Sequence, residues 1–551
     1  MGRTRLRAAM SSPAETRPLE AAERYLAAAR AAVVARVAPG GRIDARALDA
    51  HQFAAHGYAW AAATVAGLRA LLGWRGALAA SGRLGERDEL VAALGAAELL
   101  LQLGTGIAMS QGETARPGDL GLGAEAAALL ADPSVAALVA AATPAARERL
   151  AALLDESILE PSYGDEAIDA MAATLRRFAR ERVAPRAQAW HRADALVPMD
   201  VVDGVAALGV FGLTVPEEFG GLGLGKAAMC ASTEELSAAS LIVGSLATRS
   251  EIAAELVRLG GTPAQQARFL PRIADGSILP TAVFTEPDTG SDLAGLRTRA
   301  TRDGDRWRVH GAKSWITHAA RADLMTLLVR TGRPEDRHDG LSMLLAEKPR
   351  GTEADPFPVP GLTGTEIRVL GYRGLREYEL AFDGFEVPAD ALLGGVEGQG
   401  FRQLMATFES ARIQTAARAV GVARAALAVA LSYARGRMQF GRPIAAFPRV
   451  AHKLAAIAID ATIARQLTLA AARAKDEDRR CDIEAGMAKL WAARAAWSAA
   501  DNAVQVHGGN GYAEEYEASR LLVDARILSI FEGAAEIQAQ VVARGLLASR
   551  N

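Results

Sequence analysis

Asp501-Asn-Ala-Val-Gln-Val-His-Gly-Gly-Asn-Gly-Tyr512, followed after a charged helical run by Phe531-Glu532-Gly533, is the stretch on which the reading of this chain turns. Leu521, Ala525 and Leu528 recur at helical spacing before Glu532, and Ile537 and Val541 do so after it. Glu532 is therefore expected at a junction between two helices, with an aromatic residue before it and a helix-breaking glycine after it. A carboxylate held among apolar neighbours has its charged form disfavoured, which would bring it toward the range useful to a general base. The competing reading of an isolated Glu-Gly is a solvated turn, and the choice rests on the rest of the chain.

At 551 residues the chain is long enough for three or four domain-sized units. Half the residues are hydrophobic and few are aromatic, which points to a mostly helical, soluble protein with a large core. A formal net charge of −2 gives no reason to expect nucleic acid as a partner. Cys230 and Cys481 form no CxxC pair and no disulfide framework, which suits a reducing cytoplasm. Arg3, Arg5 and Arg7 are followed by Ser-Ser-Pro-Ala-Glu-Thr-Arg-Pro instead of an apolar segment, so a secretory signal is not expected. Arginines and acids are read as interrupting every alanine-rich run before the roughly 20 apolar residues that a membrane span needs, so no membrane is expected.

Working outward, residues 1 to about 20 read as disordered and Leu19 to about Leu154 as helical, with a polar segment Ser110-Gln-Gly-Glu-Thr-Ala-Arg-Pro-Gly-Asp-Leu120 between helices. That segment is either an ordinary loop or a docking loop, and its composition favours the ordinary loop. Pro161 lies in a linker before a second helical unit, 165–278. In it, Gly220 to Lys226 nearly spells the phosphate-binding GxxxxGK, but Ala227 stands where Ser or Thr must hold magnesium, so the match is read as false. Residues 279–395 change texture: Thr281–Thr285, Trp307–His310, Leu324–Val329, Leu341–Leu345 and Tyr378–Phe382 are short β-rich runs, with Asp303-Gly304 as a hairpin signal. An antiparallel barrel or sandwich is expected there. Residues 396–551 return to helix over Phe401–Arg437, Ala451–Lys475 and Cys481–Val506 and the final pair, a bundle closed around Phe408 and Leu427. The expected fold is thus mainly α with a central β-domain, preceded by an N-terminal helical extension, 1–155.

Three clusters could carry chemistry. Thr285-Glu-Pro-Asp-Thr-Gly-Ser-Asp292 follows a strand and offers hydroxyls and amides to a phosphate or a flat heterocycle, or is simply a good turn. Lys313-Ser-Trp-Ile-Thr317 offers an aromatic plane and a hydroxyl, although a core role is the commoner one for a tryptophan such as Trp315. Arg437-Met-Gln-Phe-Gly441 ends a helix, where Arg437 is either a solvated cation favoured by the helix dipole or a pyrophosphate ligand. No histidine pair has metal-ligand spacing and neither HExxH nor GxSxG occurs, so no metal site and no serine hydrolase is expected.

In order along the chain, Thr285-Glu286-Pro287 with Gly290-Ser291-Asp292, Trp315-Ile-Thr317, Arg437-x-x-Phe440-Gly441, Gln505-x-x-Gly508-Gly509-x-Gly511 and Glu532-Gly533 resemble the acyl-CoA dehydrogenase family from about Asp165 to Asn551. The resemblance implies an α-helical domain, a β-barrel or sandwich domain and a C-terminal four-helix bundle, in a homodimer or homotetramer that binds FAD. It implies that Phe284, Thr285, Gly290, Ser291, Trp315 and Thr317 line the isoalloxazine and nearby phosphates. Arg437, Phe440, Gln505, Gly508 and Gly509 would bind the adenosine pyrophosphate, largely across a subunit contact. Ser291, Phe408 and Arg412 match positions that hold coenzyme A, and Gly533 and Arg544 join the substrate set. Glu532 would take the α-proton while hydride leaves the β-carbon for the flavin, with electron-transferring flavoprotein as the next acceptor. A backbone N–H at the base and a flavin hydroxyl would polarise the thioester carbonyl. Some members carry the base just before the arginine equivalent to Arg412; Ala411 stands there and cannot act. Glu409 matches an acidic position that is not the base. Ala534 replaces a threonine that touches the flavin in many relatives.

The extension and the total length further resemble the branch of the family that turns (2S)-methylsuccinyl-CoA into mesaconyl-CoA in the ethylmalonyl-CoA pathway. A free substrate carboxylate entering an otherwise apolar pocket needs a cationic partner. Arg249, in Ser245-Leu-Ala-Thr-Arg-Ser250, is the candidate, helped by Thr248 or Ser250; a surface arginine is the alternative. The competing functional readings are a short branched- or medium-chain acyl-CoA dehydrogenase with an uncharged substrate, an acyl-CoA oxidase, and a non-enzymatic flavoprotein scaffold.

Overall fold

A computed structural model describes residues 17–548, so the reading of residues 1–20 and of Arg3, Arg5 and Arg7 falls largely outside the described residues. In chain order the larger elements are α1 (Arg17–Val37), α2 (Gln52–Ala80), α3 (Glu86–Thr105), α4 (Gly123–Ala131), α5 (Pro133–Ala141), α6 (Pro144–Leu153), α7 (Glu166–Phe178), α8 (Ala184–Ala193), α9 (Met199–Ala207), α10 (Lys226–Ala239), α11 (Leu241–Gly260) and α12 (Pro263–Ala274). Then come β1 (Pro280–Val283), β2 (Arg299–Asp303), β3 (Arg306–Thr317), β4 (Leu324–Arg330), β5 (Leu341–Glu347), β6 (Leu362–Ile367) and β7 (Glu377–Pro388). The chain closes with α13 (Gly400–Gly436), α14 (Pro448–Asp476), α15 (Asp482–His507), α16 (Glu517–Ile527) and α17 (Ala535–Ala548).

By packing, the residues gather into two units. One joins 1–164 to 415–551; the other is 165–414. In the first, the N-terminal helices and the C-terminal bundle share one core: α2 packs on α14, α15 and α17, and α3 packs on α14. Gly95 shows how close the approach is. A Cβ there would lie 2.7 Å from Leu71 Cδ2 and 3.1 Å from Ile459 Cγ2, so only glycine lets α3 sit this close to its neighbours. Arg494 on α15 is half-buried, stacks at 5.0 Å on Trp60 of α2 and 4.1 Å on Trp491, and donates to the Ala108 carbonyl.

In the second unit, local signals start the helices. Asp165 accepts from the amides of Ala167 and Ile168 to cap α7, and Thr262 with Gln265 forms a reciprocal box at the start of α12. The β-run expectations hold at all five positions, but β2, polar and largely exposed, and β6, largely polar and half-buried, were not foreseen. The seven strands form one sheet in the order β1-β4-β2-β3-β7-β6, with β5 on the other side of β4. It is mixed and not purely antiparallel as expected, because β1 and β2 both run parallel to β4. Val309, Met325, Leu327, Phe382 and Phe385 build a core on the sheet. A second core, with Leu256, Phe269, Leu324, Leu341 and Leu404, joins α11, α12 and the start of α13 to it.

Two expectations are settled by burial. Lys226 is no phosphate ligand: its ammonium is buried, bonded to Glu251 and 3.5 Å from Glu255. Charges do interrupt α13 and α14, at Arg412, Arg418 and Arg424 and at Lys453, Asp460 and Arg465, yet each helix still contains an 18-residue window apolar enough on average to cross a membrane. Those windows are 83% and 78% buried inside the chain, so their apolar character serves the bundle core.

Candidate active site and cofactor surfaces

Glu532 lies between α16 and α17, at the helix junction the periodicity indicated. Its backbone is left-handed, φ 53°, and Gly533 follows at φ 92°. A non-glycine residue in that region is uncommon and costs about 1–3 kcal/mol where it is strained. The surroundings hold it there: Lys489 Nζ donates to the Gly533 carbonyl at 2.5 Å and Gln538 Nε2 to the Glu532 carbonyl at 3.4 Å. The side chain does not sit among apolar groups as expected. Arg418 Nη2 is 2.7 Å from Glu532 Oε2, and the Thr415 hydroxyl donates to the same oxygen. Arg418 is wholly buried, donates to Thr415 at 2.7 Å and stacks at 4.7 Å over Phe531. Thr415 and Arg418 are one helical turn apart on α13, so both reach the same point.

The same unit carries the Gln505–Gly511 segment. Tyr433 of α13 stacks on His507 at 4.1 Å and its hydroxyl accepts from Asn510 at 3.0 Å, which fixes the glycine turn after α15. Gln505, Gly508 and Gly509 are exposed, and Gln505 lies in a cleft of about 500 Å³ with Arg449, Lys453, Asp501 and Asn502. Arg437 is exposed, and Phe440 is 92% exposed at the tip of a two-residue ribbon, with φ 49°. Arg544 is exposed on α17. A second, smaller cleft brings Ser110 and Gln111 of the extension beside Lys489, Arg494, Arg526 and Ser529, so the polar loop docks against the segment that leads to Glu532.

In the other unit, β3 carries a bulge. Pairing with β7 slips between Lys313 and Ile316, so Ser314 and Trp315 together face Glu379. The slip puts Trp315 at φ 61° and turns its indole out, 57% exposed, against the core role that is commoner for tryptophan. Phe284 and Thr285 are half-buried, and Gly290 and Ser291 are exposed on the turn beside this strand. Glu286 anchors that turn: it accepts from the amides of Arg297 and Thr298 at 2.7 and 2.8 Å and pairs with buried Lys313 at 3.1 Å. Arg412 stacks at 5.6 Å on Phe408, one turn away on α13.

Thr317, two residues past Trp315, is buried and sits between two charges. Arg249 Nη2 donates to its hydroxyl at 3.3 Å, and the hydroxyl is 2.9 Å from Glu377 Oε2. Burial pushes the Glu377 carboxyl up to about 7, with the Arg249 charge and the Thr317 hydroxyl pulling the other way. His318, next along, is buried among Arg321, Arg350, Arg249 and Lys348 and is pushed down to about 3, first by burial and then by those charges. Sequence reasoning missed Arg418, Thr415, Lys489 and Gln538 around Glu532 and Glu377 in the sheet, and gave Lys313, the first residue of a quoted cluster, no role of its own. Arg418 had one signal, a lone charge in the apolar run Thr415-Ala-Ala-Arg-Ala-Val420. Glu377 had none.

In one unit the solvent-facing indole of Trp315 and the exposed Gly290-Ser291 turn suit a flat heterocycle and a phosphate; in the other, the cleft with Arg449, Lys453, Asp501, Asn502 and Gln505 offers cations and amides to a phosphate, each taken by itself. Among the described residues no group of acids, histidines and cysteines could hold a metal.

Models of the acyl-CoA dehydrogenase N-terminal, middle and C-terminal domains match residues 165–277, 281–385 and 398–547. The chain is 57% identical over 526 residues to (2S)-methylsuccinyl-CoA dehydrogenase of Cereibacter sphaeroides, covering 94% of this chain and 95% of that one. Butyryl-CoA dehydrogenase of Megasphaera elsdenii superposes with a TM-score of 0.66 at 30% identity, covering 70% of this chain and 98% of that one. A glutaryl-CoA dehydrogenase from Mycobacterium smegmatis, solved in complex with FADH2, has a TM-score of 0.64 at 27% identity, covering 70% and 96%. With its three domains matched in succession and a relative alike along nearly its whole length, this chain belongs to the acyl-CoA dehydrogenase family.

Proposed function

We propose that the chain, with FAD bound, desaturates the Cα–Cβ bond of a short branched acyl-CoA, (2S)-methylsuccinyl-CoA, to give mesaconyl-CoA. The observation that carries the reading is Glu532: a carboxylate on a left-handed turn, aimed by a buried guanidinium at 2.7 Å and by the Thr415 hydroxyl. Glu532 takes the proton from the α-carbon. Arg418 and Thr415 orient its carboxylate and balance its charge, while Lys489 and Gln538 fix the backbone from which it projects. FAD supplies the two-electron acceptor for the hydride that leaves the β-carbon. Phe284, Thr285, Gly290, Ser291, Trp315 and Thr317 would hold its ring and phosphates, and Arg437, Phe440, Gln505, Gly508 and Gly509 its adenosine end. Ser291, Phe408, Arg412, Gly533 and Arg544 would meet the acyl-CoA. The exposure of Phe440 supports a contact completed by a second copy of the chain. Electron-transferring flavoprotein is the proposed acceptor, as the family resemblance implies.

A substrate panel with an artificial ferrocenium acceptor tests this. Methylsuccinyl-CoA should be oxidised in strong preference to butyryl-, isobutyryl-, isovaleryl- and octanoyl-CoA. Glu532→Gln should lower kcat by about 10²–10⁴-fold while the flavin spectrum is kept. Preference for an uncharged chain would discard the substrate and keep the base; an active Glu532→Gln would discard the base.

A further inference from the structure

The hydroxyl of Thr317 has one hydrogen to give, and the structure shows two groups that compete over how it is used. Arg249, from α11, can only donate, so it occupies a lone pair of Oγ1 at 3.3 Å. Glu377, at the start of β7 and paired in register with Thr317, lies 2.9 Å from the same oxygen. If Glu377 is ionised it can only accept, and the Thr317 hydrogen is committed to it. If Glu377 is protonated it can donate to Oγ1, and the Thr317 hydrogen is released to point elsewhere. The main-chain carbonyl of Thr317 is already bonded to the Thr281 hydroxyl at 2.6 Å, which pins the residue to β1. The side chain therefore switches by moving a hydrogen, without moving the strand.

Resting on the reading of Thr317 as a flavin contact, we propose that Glu377 is a positioning residue whose protonation decides whether the Thr317 hydroxyl can donate to the flavin ring. Nothing in the proton-abstraction step requires a second acid, yet Glu377 is buried beside the indole-bearing bulge. Its carboxyl is pushed to about 7 by burial, so both states are populated at neutral pH. The charges around it are few. Arg249 on α11 is the one that acts on it directly. His318 on the adjoining turn stays neutral, being held down to about 3. Arg376 and Tyr378 flank it on its own strand, with Arg376 turned to Glu366 of β6 at 3.6 Å and to Glu353 at 3.9 Å. Arg321, Lys348 and Arg350 face His318, and Arg350 is bonded to Asp323. The direction follows from the sign: acid protonates Glu377 and frees the Thr317 hydrogen for the flavin, and base withdraws it.

The test is a pH titration of the visible absorption of the FAD-loaded full-length protein between about pH 5.5 and 9, away from substrate. Wild type should show a one-proton shift of the flavin bands centred near pH 7. Glu377→Gln, whose amide can donate but cannot titrate, should be flat across the range and resemble wild type at low pH. Thr317→Val, which keeps the acid and removes the relay, should also be flat. Arg249→Met should keep the transition and move its midpoint to higher pH, because a cation that favours the charged carboxylate is gone. Both Glu377→Gln and Thr317→Val are near-isosteric, and flavin stoichiometry verifies that they fold. A transition that persists in Glu377→Gln, or a flavin-loaded wild type that is flat, overturns the switch alone. A folded chain that takes up no flavin overturns the cofactor reading and the switch with it.

Discussion

Gly533 and Glu532 form a single conformational unit, and the chain can vary one far less than the other. A Cβ on Gly533 would stand 2.0 Å from Gln538 Nε2 in a backbone at φ 92°. Alanine there has to displace Gln538 and adopt a conformation L-residues avoid, costing more than about 1 kcal/mol. Gly533→Ala is expected to cut kcat at least tenfold while the flavin spectrum stays intact. Gly533→Ala with Gln538→Ala should recover part of the loss; if the double variant is no better, the collision is not the cause. Arg249 makes a second residue-scale prediction. Its guanidinium bonds Thr317 and acts on Glu377, so a substrate carboxylate would have to share it. Arg249→Ala should raise KM for methylsuccinyl-CoA far more than for butyryl-CoA, and an equal effect on both would remove it from carboxylate recognition. Glu532 was readable because a helix-breaking Gly after a periodic run marks a junction. Its buried partner Arg418 was not, because periodicity along α13 says nothing about which distant turn packs on it.

Elements were legible where local pattern governs them. The long helices α13, α14 and α15 fall within a few residues of their expected bounds because apolar spacing runs their whole length. Strands β2 and β6 escaped because their side chains are largely polar and neither presents a clear apolar alternation, so that backbone pairing decides them. The bulge in β3 escaped too, since register is decided by the partner strand. Glu377 shows the same limit: alternation with Tyr378, Leu380 and Phe382 puts it on the outer face with exposed Glu379, yet α11 covers that end of the strand. Within the bundle, the charge of Arg494 acts on half-buried Asp460, whose carboxyl desolvation pushes up to about 6 against the pull of Arg494. Arg494→Ala leaves that acid without its cation and the Ala108 carbonyl without its donor. The expected loss is about 1–3 kcal/mol. Chemical denaturation would read it, with faster proteolysis around residues 106–116; unchanged stability would show that Arg494 does not tie the extension down.

For the whole molecule, the family likeness was written in ordered short motifs, whereas the way the extension packs was not. No periodicity could reveal that α2 and α3 share a core with α14, α15 and α17. Removing residues 1–155 would uncover Ile459, Ile463 and Leu467 on α14, which the chain otherwise buries. The shortened protein is expected to aggregate or to bind a hydrophobic dye strongly, and a well-behaved, flavin-loaded fragment would contradict the shared core.

That shared core has a consequence for synthesis. Its two halves are separated by the whole of residues 165–414, so α2 and α3 leave the ribosome long before α14 exists to cover them. At about 5–20 residues per second the wait lasts tens of seconds. During it, α2 lacks α14, α15 and α17, and α3 lacks α14. The nascent chain is thus a natural client for chaperones, and slowing translation after residue 164 should lower the yield of soluble protein more than slowing it after residue 476.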